Sequence, residues 1–380
     1  MTRTITSDNK SGCVKILHVV PDMGYGGVEK VVLNYYEQFD HDEYHFDYVT
    51  HGPVMEHHSK LIDQGSRLYY FKSIGQLGMK KYTEQINENI SVEEYDVVHI
   101  HVGHLTGVYA KAFKGAKAQK VICHAHTTMC VNRMHKLLMP LFRFLSVRYS
   151  DALVGCGEDA SKYCFGRANY SILPNGLDFN KYREIKQDHI AKLKSELGIK
   201  DGALVVGHVG RFSKEKNHTF LVDVIHDYVK TNKNVKFIFV GNGPDKETIE
   251  KSIQANGDEQ YVIFTGVRDD IANLMKVFDV FVLPSLFEGI PVVGIEAQAA
   301  GTPCVFSDTI DKTVCICDDR AVFLPINKGT EAWIKAIDEM RACGKNSDAC
   351  IYDALCKNGY EISVATLKLK EIYNSLISDN

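Results

Sequence analysis

The feature that most constrains this chain is a rhythm. Short, nearly continuous apolar runs recur along it, separated by stretches with helical spacing. The first series is "KILHVV" (15-20), "FDYVT" (46-50), "RLYYF" (67-71), "DVVHIH" (96-101), "KVICHAH" (120-126) and "DALVGC" (151-156). Between the first two runs, Val28, Val31, Val32, Tyr35, Tyr36 and Phe39 follow a helical period. After "ILPNGLD" (172-178) the rhythm restarts with "LVVGHVG" (204-210), "VKFIFVG" (235-241), "YVIFTG" (261-266), "VFVLPS" (280-285) and "TPCVFSD" (302-308). Strands that are apolar throughout, alternating with helices, belong to parallel sheets covered on both faces. The expectation is an α/β chain of two Rossmann-like, doubly wound domains facing each other across a cleft. The boundary falls at the Pro174-Asn175-Gly176 turn. This gives a first domain over 1-175 and a second over 176-359. The amphipathic segment at about 360-376 is expected to be a helix packing back onto the first domain.

The 380 residues suit two domains, and 45% hydrophobic with 24% charged residues is a globular balance. No apolar run approaches the length of a bilayer span. The start, "MTRTITSDNKSGC", has no apolar core of a signal peptide. Eleven cysteines without a CxxC pair suit reduced, buried thiols in a cytoplasmic chain. Charge is uneven. The net value is -4, yet the 54 residues between Asp96 and Asp151 hold eight cations and no acid. One face of the first half is expected to meet something anionic. Nucleic acid is not expected, because no aromatic platform interleaves those cations.

Ligands of open α/β sheets bind beyond the carboxyl ends of the strands, so the loops there are read for chemistry. In "HVVPDMGYGGVEK", Gly26 and Gly27 open a helix whose N–H groups suit an anion. The spacing is not GxGxxG, and the next strand ends without an acid for an adenosine ribose, which argues against NAD. In "GHVGRFSKEKN", Arg211 and Lys216 could neutralise a diphosphate. "VGNGPDKE" repeats the strand-glycine-helix theme at Gly243, in a loop that could contact a nucleotide, with Pro244 suited to the first helical turn. "KVICHAHTT" ends with His124 and His126. A core role suits His124 and a polar contact to a sugar suits His126, with a metal pair as the rival reading.

The stretch "PSLFEGIPVVGIEAQAAGTPCV" (284-305) holds two acids and no other charge. Pro291 suits the first position of a helix over about 292-300, and Gly301 its C′ position. Glu288 then precedes the helix and Glu296 lies inside it. Glu296 could accept from a ribose diol. Glu288, with the backbone N–H groups of Gly289 and Ile290, could hold the hydroxyls of a second sugar.

"EGIPVVGIEAQAAGTP" resembles the E-x7-E motif of retaining glycosyltransferases of family 4. "GGVEK", "HVGRFSKEKN" and "LPNGLD" resemble that family's other signatures, in its order, and the likeness runs from about Lys15 to Asp308. The resemblance implies a GT-B fold and a retaining transfer from a nucleotide sugar, with UDP as the favoured carrier. It implies capsular or exopolysaccharide biosynthesis and a glycan or polyprenyl-diphosphate-linked acceptor. Under it Gly26 and Gly27 approach the donor phosphates or reacting centre, His126 touches the sugar, and Arg211 and Lys216 stabilise the departing diphosphate. Glu288 binds donor-sugar hydroxyls and Glu296 the ribose, and no metal or other cofactor is required. One departure stands out: "SDTIDKTVCICDD" lacks the glycines that many relatives carry after the next strand. The rival classes are a sugar-nucleotide epimerase on the same fold and a catalytically silent sugar-nucleotide-binding protein.

The acid-free stretch includes "NRMHKLLMPLFRFLSVR". There Met134, Leu137, Leu138, Leu141, Phe142 and Leu145 are helically spaced, with Arg133, Lys136, Arg143 and Arg148 around them. Such a helix over 133-148 could rest on an anionic membrane surface, placing the protein peripherally at the inner face of the cell membrane. It could equally be a core-facing helix with a cationic solvent side.

Overall fold

The computed structural model describes residues 12–21, 23, 27–53, 58–130 and 132–378. They form two compact units. The first comprises Met1–Leu177 with Ile362–Asn380, and the second is Asp178–Glu361. The division falls two residues beyond the turn at Asn175 and Gly176, and the C-terminal helix Ile362–Ser378 belongs to the first unit.

The first unit is a seven-stranded parallel sheet. Its strands are β1 (Val14–Val20), β2 (Tyr44–Thr50), β3 (Leu68–Tyr70), β4 (Val97–Ile100), β5 (Lys120–Ala125), β6 (Ala152–Gly155) and β7 (Ser171–Ile172). Their order is β3-β2-β1-β4-β5-β6-β7. The second unit is a six-stranded parallel sheet of β8 (Leu204–Val209), β9 (Val235–Val240), β10 (Val262–Gly266), β11 (Val280–Leu283), β12 (Cys304–Ser307) and β13 (Ala321–Leu324). Its order, β10-β9-β8-β11-β12-β13, repeats the plan of the first. In each sheet the chain reverses its direction of growth beside the first strand. That topological switch lies between β1 and β4 in one and between β8 and β11 in the other, and it is where open α/β sheets leave a crevice.

All eleven strand-like runs become strands. β7 and β13 are additional to those runs: β7 is only two residues long, whereas β13 is a short apolar run, AVFL, at the edge of the second sheet. The helix read as 28 to 39 spans Gly27–Tyr36, and Phe39 is buried in the turn beyond it.

The two sheets differ in what covers them. One face of the second packs an apolar core of Val206, Phe237, Phe239 and Val282 against Ile225 and Tyr228 of the helix His218–Thr231 and Trp333 of the helix Gly329–Cys343. The other face is so tight that a Cβ on Gly207 would lie 2.1 Å from the Phe278 ring. In the first sheet, one face carries histidines. His18 of β1 is in register with His99 of β4, and alternation puts His101, His124 and His126 on the same side. Their rings bond in two runs: His18 Nδ1 to His101 Nε2 at 3.0 Å and His101 Nδ1 to His126 Nε2 at 3.0 Å in one, and His99 Nε2 to His124 Nδ1 at 3.1 Å in the other. Tyr373 of the C-terminal helix ends the second run with its hydroxyl 2.8 Å from His99 Nδ1. Burial depresses the imidazole pKa values, to about 3 for His18 and about 4 for His126, so these rings are neutral at pH 7.

Candidate donor site at the second sheet's switch point

The candidate site lies where β8 and β11 end. β8 runs out through Gly210 into Arg211 and a 3-10 turn over Lys214–Lys216. Asn217 then takes a left-handed conformation (φ 56°) and starts the helix His218–Thr231. β11 runs out through Pro284 and Ser285 into the loop that carries Glu288. Backbone and side chain join the two loops: Leu286 N–H donates to Glu215 O at 2.8 Å, and Asn217 Nδ2 donates to Pro284 O at 3.2 Å.

Between them Lys216 and Glu288 meet. Lys216 Nζ donates to Glu288 Oε1 at 2.5 Å, and Ser285 Oγ donates to the same oxygen at 2.7 Å. Both charged side chains are 15% exposed. The Lys216 stem reaches this position across Gly210, where a Cβ would sit 3.2 Å from its Cδ and Cε. An ammonium has three hydrogens, and Glu288 takes one of them. Arg211 is exposed, and its guanidinium makes no ion pair among the described residues. A cation held by a carboxylate and a second, unengaged cation two loop positions from the strand end make a site for a dianion.

The helix after Glu288 spans Val292–Ala299. Pro291 is its N-cap, in an extended conformation (φ -71°, ψ 112°), one position earlier than expected because a ring-locked φ serves there equally well. Gly301 takes the left-handed position after the C-cap, with φ 77°. The N–H groups of Gly289 and Ile290 donate to no acceptor among the described residues. Glu296 is only 1% exposed and accepts from Tyr182 Oη at 2.9 Å. It therefore sits deeper than Glu288, with one carboxylate oxygen oriented by Tyr182. Gln298 explains how "SDTIDKTVCICDD" is held without glycines. Its Nε2 donates to Val314 O at 2.7 Å, and its Oε1 accepts from Ile316 N–H at 2.8 Å.

The other expected residues are distributed as follows. Gly243 follows β9, where a Cβ would lie 2.3 Å from Phe212 O and 2.6 Å from Phe212 N, so close loop packing accounts for this glycine without a ligand. Pro244 precedes the helix Lys246–Asn256 rather than opening it. Gly27 is the first residue of the helix Gly27–Tyr36, and Gly26 lies outside the described residues. His126 belongs to the first unit's histidine row, and His124 is buried in the same row with His99 as partner, not as half of an isolated metal pair. Two buried imidazoles behind the Lys216 loop escaped sequence reading. His208 bonds Val282 O at 2.9 Å through Nδ1 while its Nε2 has no partner, and His218 stacks on Phe212 at 4.1 Å. Burial, with a lesser contribution from the flanking Lys216, holds His218 at about 4, so it stays uncharged beside the cation.

Against known proteins, residues 189–355 match the family model described as "Glycosyl transferases group 1", and residues 25–181 match "Glycosyltransferase Family 4". The chain is 32% identical over 370 residues to EpsF of Bacillus subtilis (strain 168), a protein bearing a glycosyltransferase name, covering 95% of this chain and 96% of that one. It is 23% identical over 391 residues to the Escherichia coli UDP-Gal:alpha-D-GlcNAc-diphosphoundecaprenol alpha-1,3-galactosyltransferase, covering 96% and 97%. Among solved structures, Anabaena Alr3699/HepE in complex with UDP and glucose superposes with a TM-score of 0.79 at 20% identity, covering 95% of this chain and 100% of that one.

Proposed function

This chain belongs to glycosyltransferase family 4, with the GT-B fold, and on that premise we propose that it moves a sugar from a UDP-linked donor to a glycan or polyprenyl-diphosphate-linked acceptor, retaining the anomeric configuration. The single observation that carries the donor assignment is the Lys216–Glu288 pair at the second sheet's switch point, with the exposed Arg211 on the same loop as Lys216. The UDP preference and the polymer context rest on the relatives: a galactosyltransferase named for UDP-Gal and a diphosphoundecaprenol acceptor, and a fold neighbour solved with UDP.

In this reading Arg211 and the remaining Lys216 hydrogens meet the diphosphate, taking the role a divalent ion has in other transferases. Glu288, oriented by Lys216 and Ser285, accepts from donor-sugar hydroxyls. The N–H groups of Gly289 and Ile290 donate to the donor from the same loop. Glu296, oriented by Tyr182, receives the ribose. As the glycosidic bond to the diphosphate breaks, negative charge grows on the leaving oxygen and positive charge on the sugar. Fixed cations beside the former lower the barrier more than they stabilise the ground state. The acceptor hydroxyl enters from the face the diphosphate leaves, and a phosphate oxygen takes its proton.

The test is a thermal-shift panel of UDP-, GDP-, ADP-, dTDP- and CMP-sugars with EDTA present, on the parent and on Glu296→Ala. A stabilisation confined to UDP-sugars and lost in the variant is expected. Stabilisation that returns only with Mg²⁺ would refute the metal-free reading. The α or β configuration of the product, read by proton NMR, decides retention, and an isomerised donor without released UDP would indicate an epimerase.

The helix Arg133–Tyr149 supports a peripheral membrane reading of the acceptor side. It runs unbroken through Pro140. The sequence grouped six apolar residues into one stripe. The structure divides them, because Phe142 and Leu145 face the unit's interior while Met134, Leu137, Leu138 and Leu141 face outward with Phe144 and Val147. Leu137 is 74% exposed, with the exposed Arg133, Lys136 and Arg148 on the same helix. No helix among the described residues is long and apolar enough to cross a membrane. Contact with an anionic lipid surface would cover this outward face. Co-sedimentation with phosphatidylglycerol vesicles is expected, weakened by Leu137→Glu and by Lys136→Glu. Equal sedimentation of parent and variants would dismiss it.

A further inference from the structure

The first unit holds a second polar cluster that the donor site does not use. His104 stands in the 3-10 turn Gly103–Leu105 after β4, Cys130 in the loop after β5, and His135 in the first turn of the helix Arg133–Tyr149. His104 Nε2 lies 2.9 Å from His135 Nδ1 and 3.3 Å from Cys130 Sγ. All three ligand atoms fall within 4.8 Å of one another. From this convergence we infer that His104, Cys130 and His135 form a zinc site with one open coordination position.

The chemistry supports a soft or borderline cation over a proton. One imidazole nitrogen, His104 Nε2, has two neighbours at bonding distance but either one lone pair or one hydrogen to offer. A cation at the centre of the three would satisfy every group at once. A thiolate with two neutral imidazoles is a characteristic zinc donor set, and three protein ligands leave the fourth position for water or another ligand. Tetrahedral zinc, with bonds of about 2.0–2.1 Å to nitrogen and about 2.3 Å to sulfur, spaces its ligands by about 3.3 Å (N to N) and about 3.6 Å (N to S). The observed 2.9 and 3.3 Å are shorter by only a few tenths of an ångström.

The support around the cluster fits the same purpose. Asn132 Oδ1 caps the helix by accepting from Met134 N–H at 2.9 Å and His135 N–H at 3.2 Å, which fixes where His135 starts. Phe142 stands behind both rings, 6.0 Å from His104 and 5.6 Å from His135 between centroids. Cys130 is buried while the two histidines are half-buried, so the site has a dry side and a way in. The other histidine groupings lack an anionic ligand. His18, His99, His101, His124 and His126 bond to each other and to Tyr373, leaving His124 Nε2 without a partner, and no thiolate or carboxylate joins them. On binding, Cys130 loses its thiol proton to solvent as the S–Zn bond forms, with no change of oxidation state. The ion would tie the β4 and β5 loops to the start of the helix with the outward apolar face.

The site is tested by stripping the full chain with a chelator and titrating it with Co²⁺, then displacing Co²⁺ with Zn²⁺. One equivalent per chain is expected, with tetrahedral visible bands and a thiolate-to-cobalt charge-transfer band. Cys130→Ser should abolish the charge-transfer band, and His135→Gln, at a half-exposed position, should weaken binding at least tenfold. Cys343→Ser, which removes an exposed thiol of the second unit, should change neither. A folded parent chain with no thiolate band, or a band that survives in Cys130→Ser, would overturn the inference. So would unchanged affinity in His135→Gln.

Discussion

The two sheets share a strand order and differ in their filling. The second is packed with valine, phenylalanine and one tryptophan. The first carries a row of five neutral histidines across one face, completed by a tyrosine that arrives from the far end of the chain. An apolar core is indifferent to pH. A face of imidazoles holds together only while its rings stay uncharged, so the same topology acquires a different dependence on its surroundings.

Acid is the largest lever on that difference. The folded pKa values of these histidines lie below the free value near 6.5: about 4 for His51 and His126 and about 3 for His18. The unfolded chain therefore binds more protons below pH 6.5, and stability is full above that pH. It falls as pH drops from 6.5 toward 4, by about 1.4 kcal/mol per pH unit for each such ring. Six strongly depressed histidines lie in the first unit (His18, His51, His99, His101, His124 and His126), against His208 and His218 in the second. The first unit should open first. Trp333, the sole tryptophan, is buried in the second unit and reports on it alone. Circular dichroism is expected to fall before tryptophan fluorescence shifts as pH is lowered; simultaneous loss would erase the distinction.

Next in size is Lys216→Ala. Removing the ammonium should lower kcat roughly 100- to 1000-fold with the melting temperature little changed, since loss of one charge-stabilising donor has that scale. A loss confined to KM would make Lys216 a binding residue only. Gly207→Ala tests the second sheet's tight face, because the added methyl meets the Phe278 ring. A loss of about 1–3 kcal/mol is expected by chemical denaturation, read through Trp333. The smallest effect belongs to Tyr373→Phe, which removes the hydroxyl from His99 and should cost about 1–2 kcal/mol in the first unit without moving the Trp333 transition.

Much of this was legible in the sequence because parallel strands buried on both faces must be apolar throughout. β7 escaped because two residues make no pattern, whereas the short apolar run of β13 was there to be read. The Glu288 to Glu296 passage stood out because two acids in an apolar context need partners. Which partners they have did not show: Tyr182 lies 114 residues before Glu296, and Lys216 lies 72 before Glu288. The close approach of Phe212 to Gly243 did not show either, because the direction of a missing Cβ is invisible in sequence. The histidine row left a trace, since His99-x-His101 and His124-x-His126 end two successive strands. Only the register of β1 against β4 brings in His18. The cluster of His104, Cys130 and His135 left none, because its members come from three different segments.

The chain leaves the first unit at Leu177, builds all of the second, and returns at Ile362, whose N–H donates to Leu177 O at 3.0 Å. Translation therefore delivers the six strands of the second sheet before it delivers Tyr373. A nascent chain can hold a finished second sheet while His99 still lacks its phenolic partner. The half that is made first is the half completed last.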